Sequence, residues 1–202
     1  MIYPRLLITS SLLSSWLWIV DCYDGYESAK EEFKRTLSRE PFEPNESMQK
    51  GIQLEKDILS ILCEESFRTP DSVYDSCIRE MAEKLKDCQF QIKASKDITI
   101  AGQSFLLYGR IDALRREWVY DIKYTEKYEV GKYFESPQHK MYFEILDSPK
   151  FSYLVCDGRE VYEETYLKED TDSILPIVEE FWSWLQSFDE YRTIFVDKWK
   201  SL

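Results

Sequence analysis

Along this chain the spacing of apolar residues changes from a helical period to a strand-like alternation and back, and those changes mark its elements. From about Ser11 to Val20 apolar residues recur at helical spacing, with Thr9 or Ser10 placed to cap a buried first helix. A second, charged helix is expected over Tyr26 to Leu37, ended by Pro41 and Pro44. From Ser47, the positions Met48, Ile52, Leu54, Ile58, Leu59 and Leu62 predict a long amphipathic helix; after Thr69, Pro70 and Asp71 another carries Val73 to Leu85. Alternation and β-branched or aromatic residues then predict strands over Gln91 to Ile100, Ser104 to Ile111 and Trp118 to Tyr124. Gly102 and the stretch Arg115 to Glu117 supply turns too short for crossover helices, so these strands should form a meander. Ser136 followed by Pro137 opens a helix reaching about Leu146. Phe151 to Cys156 and Glu160 to Leu167 form a hairpin around Asp157-Gly158, and a final helix carries Phe181, Trp182, Trp184, Leu185 and Phe188. This order predicts an α/β fold in which a mixed central sheet, a three-stranded meander plus later strands, is flanked by helices.

Composition narrows the class. The chain has 202 residues, of which 44% are hydrophobic and 15% aromatic, enough for one packed domain over residues 1–202 without disulfides or a structural metal. Its formal net charge of −12 argues against a large DNA-coating surface, since such surfaces exchange counterions with phosphate. It argues less against a nuclease, whose carboxylates collect divalent cations. Basic residues gather in one central stretch, Arg110, Arg115, Arg116, Lys123, Lys127, Lys132, His139 and Lys140, while the last third is rich in acids. Cys22, Cys63, Cys77, Cys88 and Cys156 contain no Cys-x-x-Cys pair, so reduced, mostly buried thiols in a cytoplasmic protein are expected. The opening, Met1 to Val20, is interrupted by four serines and two tryptophans and carries early charge only at Arg5, so a buried helix is expected there rather than a signal or membrane segment.

Three residues concentrate the chemistry. Gly109-Arg110-Ile111-Asp112 ends one predicted strand, and Asp121-Ile122-Lys123 lies in the next. A hairpin turning between Arg116 and Glu117 sets Asp112 opposite Asp121, where cross-strand neighbours are about 5 Å apart. Asp121 and Lys123 share a face, and Ile122 turns into the core. Two close carboxylates beside an ammonium would suit a hard divalent ion, magnesium or manganese rather than zinc. Taken alone, Asp112 could be a strand-end turn residue and Asp121 with Lys123 an exposed pair, since Asp-x-Lys on a strand is common.

The neighbouring motifs decide between those readings. Gly109-Arg110-Ile111-Asp112, the short hairpin, Val119-Tyr120-Asp121-Ile122-Lys123-Tyr124-Thr125, and then Gln138-His139-Lys140-Met141-Tyr142 closely resemble the RecB-type nuclease domain of the PD-(D/E)XK superfamily. Upstream, Gly51-Ile52-Gln53-Leu54-Glu55 is similar to the family's Gly-x-x-x-Glu helix, and Ile8 to Trp16 to its serine-containing first helix. The resemblance spans about Ile8 to Thr165. It implies a restriction-endonuclease-like core and a Mg2+- or Mn2+-dependent nuclease that hydrolyses DNA phosphodiester bonds as an exonuclease. Asp112, Asp121, Glu55 and the Ile122 carbonyl would bind metal, Lys123 would assist the attacking water, and Gln138 and Tyr142 would orient the lysine, the metal shell or the DNA. Gly51 would let its helix approach the sheet closely. His139 would be a phosphate or surface contact, because the metal lowers the pKa of water. Only Cys156 follows Tyr142, so no iron–sulfur cluster is expected. Ile111 replaces the usual proline and Glu55 the usual histidine, which leaves metal number and preference open.

A different class also stays in view: a catalytically inactive protein of this fold that acts as a nucleic-acid- or partner-binding regulator. The −12 charge favours it, and the intact Asp112, Asp121 and Lys123 count against it. Partners implied by the leading reading are single- or double-stranded DNA and a separate helicase or recombination protein, since no Gly-rich phosphate loop is present; no membrane is expected.

Overall fold

Four of the predicted helices begin where a side chain takes up a free backbone N–H group. The computed structural model describes residues 4–22, 24–63, 69 and 71–201; residues 1–3 of the apolar opening and Pro70 of the helix break lie outside them. Thr9 caps α1 (Ser10–Asp21), accepting from Leu12 N. Asn45 caps α3 (Glu46–Leu62), Asp71 caps α4 (Ser72–Lys84) and Ser136 caps α5 (Pro137–Leu146). Charged α2 (Tyr26–Ser38) starts after Gly25 in the left-handed region, φ +85°.

The sheet is mixed. β1 (Leu6–Ile8) runs parallel to β3 (Gln103–Arg115), with Leu6 facing Phe105. β2 (Gln89–Ile100) pairs antiparallel along the opposite edge of β3, and β4 (Trp118–Tyr124) pairs antiparallel with its last residues. β5 (Lys150–Cys156) then adds parallel to β4, and β6 (Val161–Leu167) antiparallel to β5. Helices α6 (Leu175–Gln186) and α7 (Asp189–Lys198) follow. The backbone ends meet: Leu7 N–H donates to Trp199 O at 2.7 Å, and Ser201 N–H donates to Arg5 O at 2.8 Å.

Both faces are covered, as the meander and later strands predict for an α/β fold. α3 and α4 bury Leu54, Ile58, Ile78 and Met81 against Tyr120, Ile122 and Leu154. On the other face α5 packs Tyr142 and Phe143 against Ile111, Phe151 and Tyr153. Beyond it α1, α2, α6 and α7 enclose a third cluster with β1 and the start of β3.

Several expectations change. β1 is a strand cut from the apolar opening, three residues long and thus below what alternation can reveal. The final helix is two, broken where Ser187 ends α6 and Phe188 is extended, φ −130°. β3 runs through Asp112 to Arg115 instead of ending at Asp112. Of the five cysteines, all free, Cys77 and Cys156 are buried, while Cys63 is exposed. Gly51 needs no glycine: a β-carbon there would meet Tyr124 Cβ at 4.0 Å, an ordinary contact. No helix among the described residues is long and apolar enough to cross a membrane.

Candidate active site

β1 and β4 share one edge of β3, at opposite ends, and residues 108–112 between them have, among the described residues, no strand neighbour on that side. This gap is where the site forms. The β3–β4 ladder pairs Ala113 with Tyr120 and stops one step before Asp112 and Asp121. There Asp112 Oδ2 accepts the Ile122 N–H at 2.9 Å, so a side chain replaces the carbonyl that a continued ladder would supply and the strands part.

On the far side of β3 the same position is irregular. Gln91, across from Asp112, has φ +56°, a left-handed conformation rare for a residue inside a strand. Alternation slips there: Phe90 and Ile92 pack on opposite faces of the sheet, as do Ile111 and Ala113. A regular strand would send both residues of each pair to one face. Gln91 Nε2 reaches Glu55 Oε2 at 3.2 Å, tying α3 to this irregular point.

The gap is closed by α5. Tyr142, 3% exposed, donates its hydroxyl to Arg110 O at 2.7 Å. Its ring lies where a β-carbon on Gly109 would stand, 2.4 Å from Tyr142 Cε1, so a side chain at Gly109 is excluded. One turn earlier on α5, Gln138 Nε2 donates to Asp121 Oδ1 at 2.5 Å. Lys123 Nζ stands 2.6 Å from Asp121 Oδ2, and 5.9 Å from the centre of the buried Tyr153 ring.

Asp112, Asp121, Lys123, Gln138 and Tyr142 therefore meet at one point, with Glu55 at its border. Ile122 is 7% exposed, its side chain in the core and its N–H held by Asp112. Burial, then the charge of Asp121, pushes the Asp112 carboxyl up to about 8, with Glu55 adding to the rise and the Ile122 N–H and Lys123 opposing it. Burial and then Asp121 raise Glu55 as well, against the hydrogen bond from Gln91. Burial acts to lower Lys123, but Asp121 and Asp112 outweigh it and the ammonium is held above its usual range. The site thus sets three carboxyl groups against a single ammonium, and their mutual repulsion favours holding a proton or a cation.

That repulsion is the test of whether a cation fits. Asp121 Oδ2 is buried and receives no aligned hydrogen bond, only the nearby ammonium. The donors are carboxylate oxygens, which suit magnesium or manganese. Among the described residues no three His, Cys, Asp or Glu side chains already stand close enough to enclose an ion. The two aspartates and the Ile122 carbonyl would be the nearest ligands, and Glu55, whose Oε2 accepts from Gln91, would join them from α3.

His139 is neither a phosphate contact nor a surface residue. It is 1% exposed, stacked on Tyr166 at 4.1 Å between ring centres, with Nδ1 3.2 Å from Tyr153 Oη. Burial, with Lys140 nearby, pushes its pKa down to about 4. Arg115, one of the central basic residues, is also structural, donating to Lys84 O and Tyr120 Oη. What sequence reasoning missed is Gln91, which carries no motif, and the close approach at Gly109, which an isolated glycine in a strand does signal.

No protein-family model matches the chain, and no curated protein does. Solved structures do. The crystal structure of LHK-Exo in complex with dAMP matches with a TM-score of 0.54 and 15% identity, covering 91% of this chain and 90% of that one. The crystal structure of SSO0001 matches with a TM-score of 0.52 and 13% identity, covering 91% of this chain and 78% of that one. Likeness at this identity establishes architecture, and the fold is restriction-endonuclease-like, a mixed sheet between helices shared with LHK-Exo.

Proposed function

We propose that the chain, as one domain over residues 1–202, is a magnesium- or manganese-dependent deoxyribonuclease that hydrolyses phosphodiester bonds from a DNA end. The observation that carries this is the meeting of Asp112 and Asp121 beside Lys123, at a gap in the sheet edge, with the buried Asp121 Oδ2 receiving no aligned hydrogen bond. The fold shared with LHK-Exo, solved with the mononucleotide dAMP, supports action on nucleotides.

Asp112, Asp121, the Ile122 carbonyl and Glu55 would hold the ion, which when bound lowers the pKa of water and stabilises charge on phosphoryl oxygens. Lys123 keeps its proton beside Asp121 and is placed to orient the attacking water or neutralise the developing phosphorane charge. Gln138 fixes the Asp121 carboxylate, and Tyr142 fixes the Arg110 backbone, so these two are positioning residues. His139, buried and neutral, takes no part in proton transfer.

The test is incubation of purified protein with linear and circular DNA in manganese or EDTA, beside Asp121→Ala. Linear DNA should be degraded in manganese only, and the variant should lose at least about a hundredfold of the rate, on the scale of removing a principal electrostatic element. Cleavage indifferent to chelation or to Asp121 would reject the assignment, and inactivity with every metal would leave the binding regulator as the better reading.

A further inference from the structure

A cleft of about 940 Å³ opens beside the carboxylates and has Lys123 and Gln138 in its wall. The rest of the wall comes from α1, α2, the residue and connector after α2, the start of α3, and Trp199 after α7, whose ring centre lies 4.1 Å from the Arg39 guanidinium. Trp18, Phe42 and Met48 line it and are 43%, 57% and 46% exposed, so three large apolar side chains face one concavity. Such a cluster, rimmed by polar groups, marks a binding surface where scattered single residues would not. Ser11, its hydroxyl 3.1 Å from Thr9 Oγ1, and Ser14, both exposed, stand on the α1 side, and the exposed Arg35 and Arg39 on the α2 side.

Charge decides what such a cleft holds. Arg35, Arg39 and Lys123 are matched by Glu32, Glu40 and Glu43, so the lining has no net positive charge. Duplex binding draws its affinity from many neutralised phosphates, which this wall cannot supply. A strand with unstacked bases draws on aromatic faces instead, worth about 5- to 150-fold in affinity per stacked base. We propose that this cleft seats a single DNA strand, bases against Trp18 and Phe42 and phosphates toward Arg35 and Arg39, and leads it to Lys123 and Asp121. The proposal rests on the nuclease reading and narrows its substrate to unpaired strands.

The experiment measures fluorescence anisotropy of a labelled single strand of about 12 nucleotides, and of the matching duplex, with the full chain in EDTA so that nothing is cleaved. The single strand should bind at least about tenfold tighter than the duplex, with a salt slope of about −1 to −2, as two arginine contacts require. Trp18→Ala and Phe42→Ala should each weaken it by about fivefold or more, and Trp18→Tyr should restore most of the loss. Both residues are largely exposed, and thermal melting shows whether either variant is misfolded. Equal or tighter duplex binding, or Trp18→Ala and Phe42→Ala both binding as the parent does, overturns the cleft assignment. Cleavage of duplex ends in manganese with no strand binding also overturns it while sparing the nuclease reading. Tight, Trp18-dependent strand binding without cleavage in any metal upholds the cleft and sinks the nuclease.

Discussion

Asp112→Asn should make the metal-free protein more stable while abolishing cleavage, and the pH dependence makes the reasoning testable. The Asp112 carboxyl rises from an ordinary 3.8 to about 8, through burial and then repulsion from Asp121. A carboxyl raised in the folded state favours folding at low pH; as pH climbs from 3.8 to 8 the unfolded chain ionises first and stability is lost. His139 acts in the opposite sense, chiefly below its ordinary 6.5. Between about pH 6.5 and 8, then, the acidic cluster dominates the slope, opposed by a histidine tail of about 0.4 kcal/mol. A full proton difference over that window amounts to about 2 kcal/mol, and shared titration with its neighbours reduces it to roughly 1–2 kcal/mol. For a chain of this size that is a fall in Tm of about 2–8 °C for the parent, followed by circular dichroism in EDTA. Asp112→Asn, which keeps an oxygen for the Ile122 N–H, should show little of that fall and melt higher at pH 8. Manganese at about a hundred times its Kd should return about 2.7 kcal/mol to the parent and almost nothing to the variant. A variant that melts lower than the parent at pH 8, or follows the same slope, would refute the claim that the aspartates repel each other in the folded chain.

Two further outcomes bear on the supporting structure. With His139 held near 4, the unfolded chain binds a proton that the folded chain refuses as pH falls from 6.5, so stability present above 6.5 is lost by up to about 3 kcal/mol at pH 4; His139→Phe should flatten this acid limb in urea titrations and leave the pH–rate profile of cleavage unmoved. Gly109→Ala should cost about 1–3 kcal/mol, because the new β-carbon drives the Tyr142 ring from its seat, and adding Tyr142→Ala should remove part of that penalty in a double-mutant cycle.

Much of the fold could be read from period alone, because every helix of three turns or more has an apolar face and most begin at a capping residue such as Asn45, Asp71 or Ser136. The hairpin register between Asp112 and Asp121 followed from the two-residue turn at Arg116 and Glu117, where Arg116 adopts φ +56°. Long-range pairings were invisible: nothing in Leu6–Ile8 announces a parallel partner at Phe105–Leu107. Side-chain facing near Gln91 was equally hidden, since alternation assumes a regular strand and the left-handed residue breaks it. His139 shows the limit of residue type as evidence. A lone histidine in a basic stretch looks like a phosphate contact, and only packing against Tyr166 and Tyr153 reveals it as core.

The hydrogen bonds that stitch Leu7 to Trp199 and Arg5 to Ser201 bring the first and last described segments side by side. A short Gly-Ser bridge joining these neighbours would let the polypeptide be reopened elsewhere, and the tight reversal at Ala101 and Gly102, both with positive φ and both exposed, is the natural place. In such a permuted protein β3, the strand that carries Asp112, would be synthesised before β1 and β2, the strands it now follows.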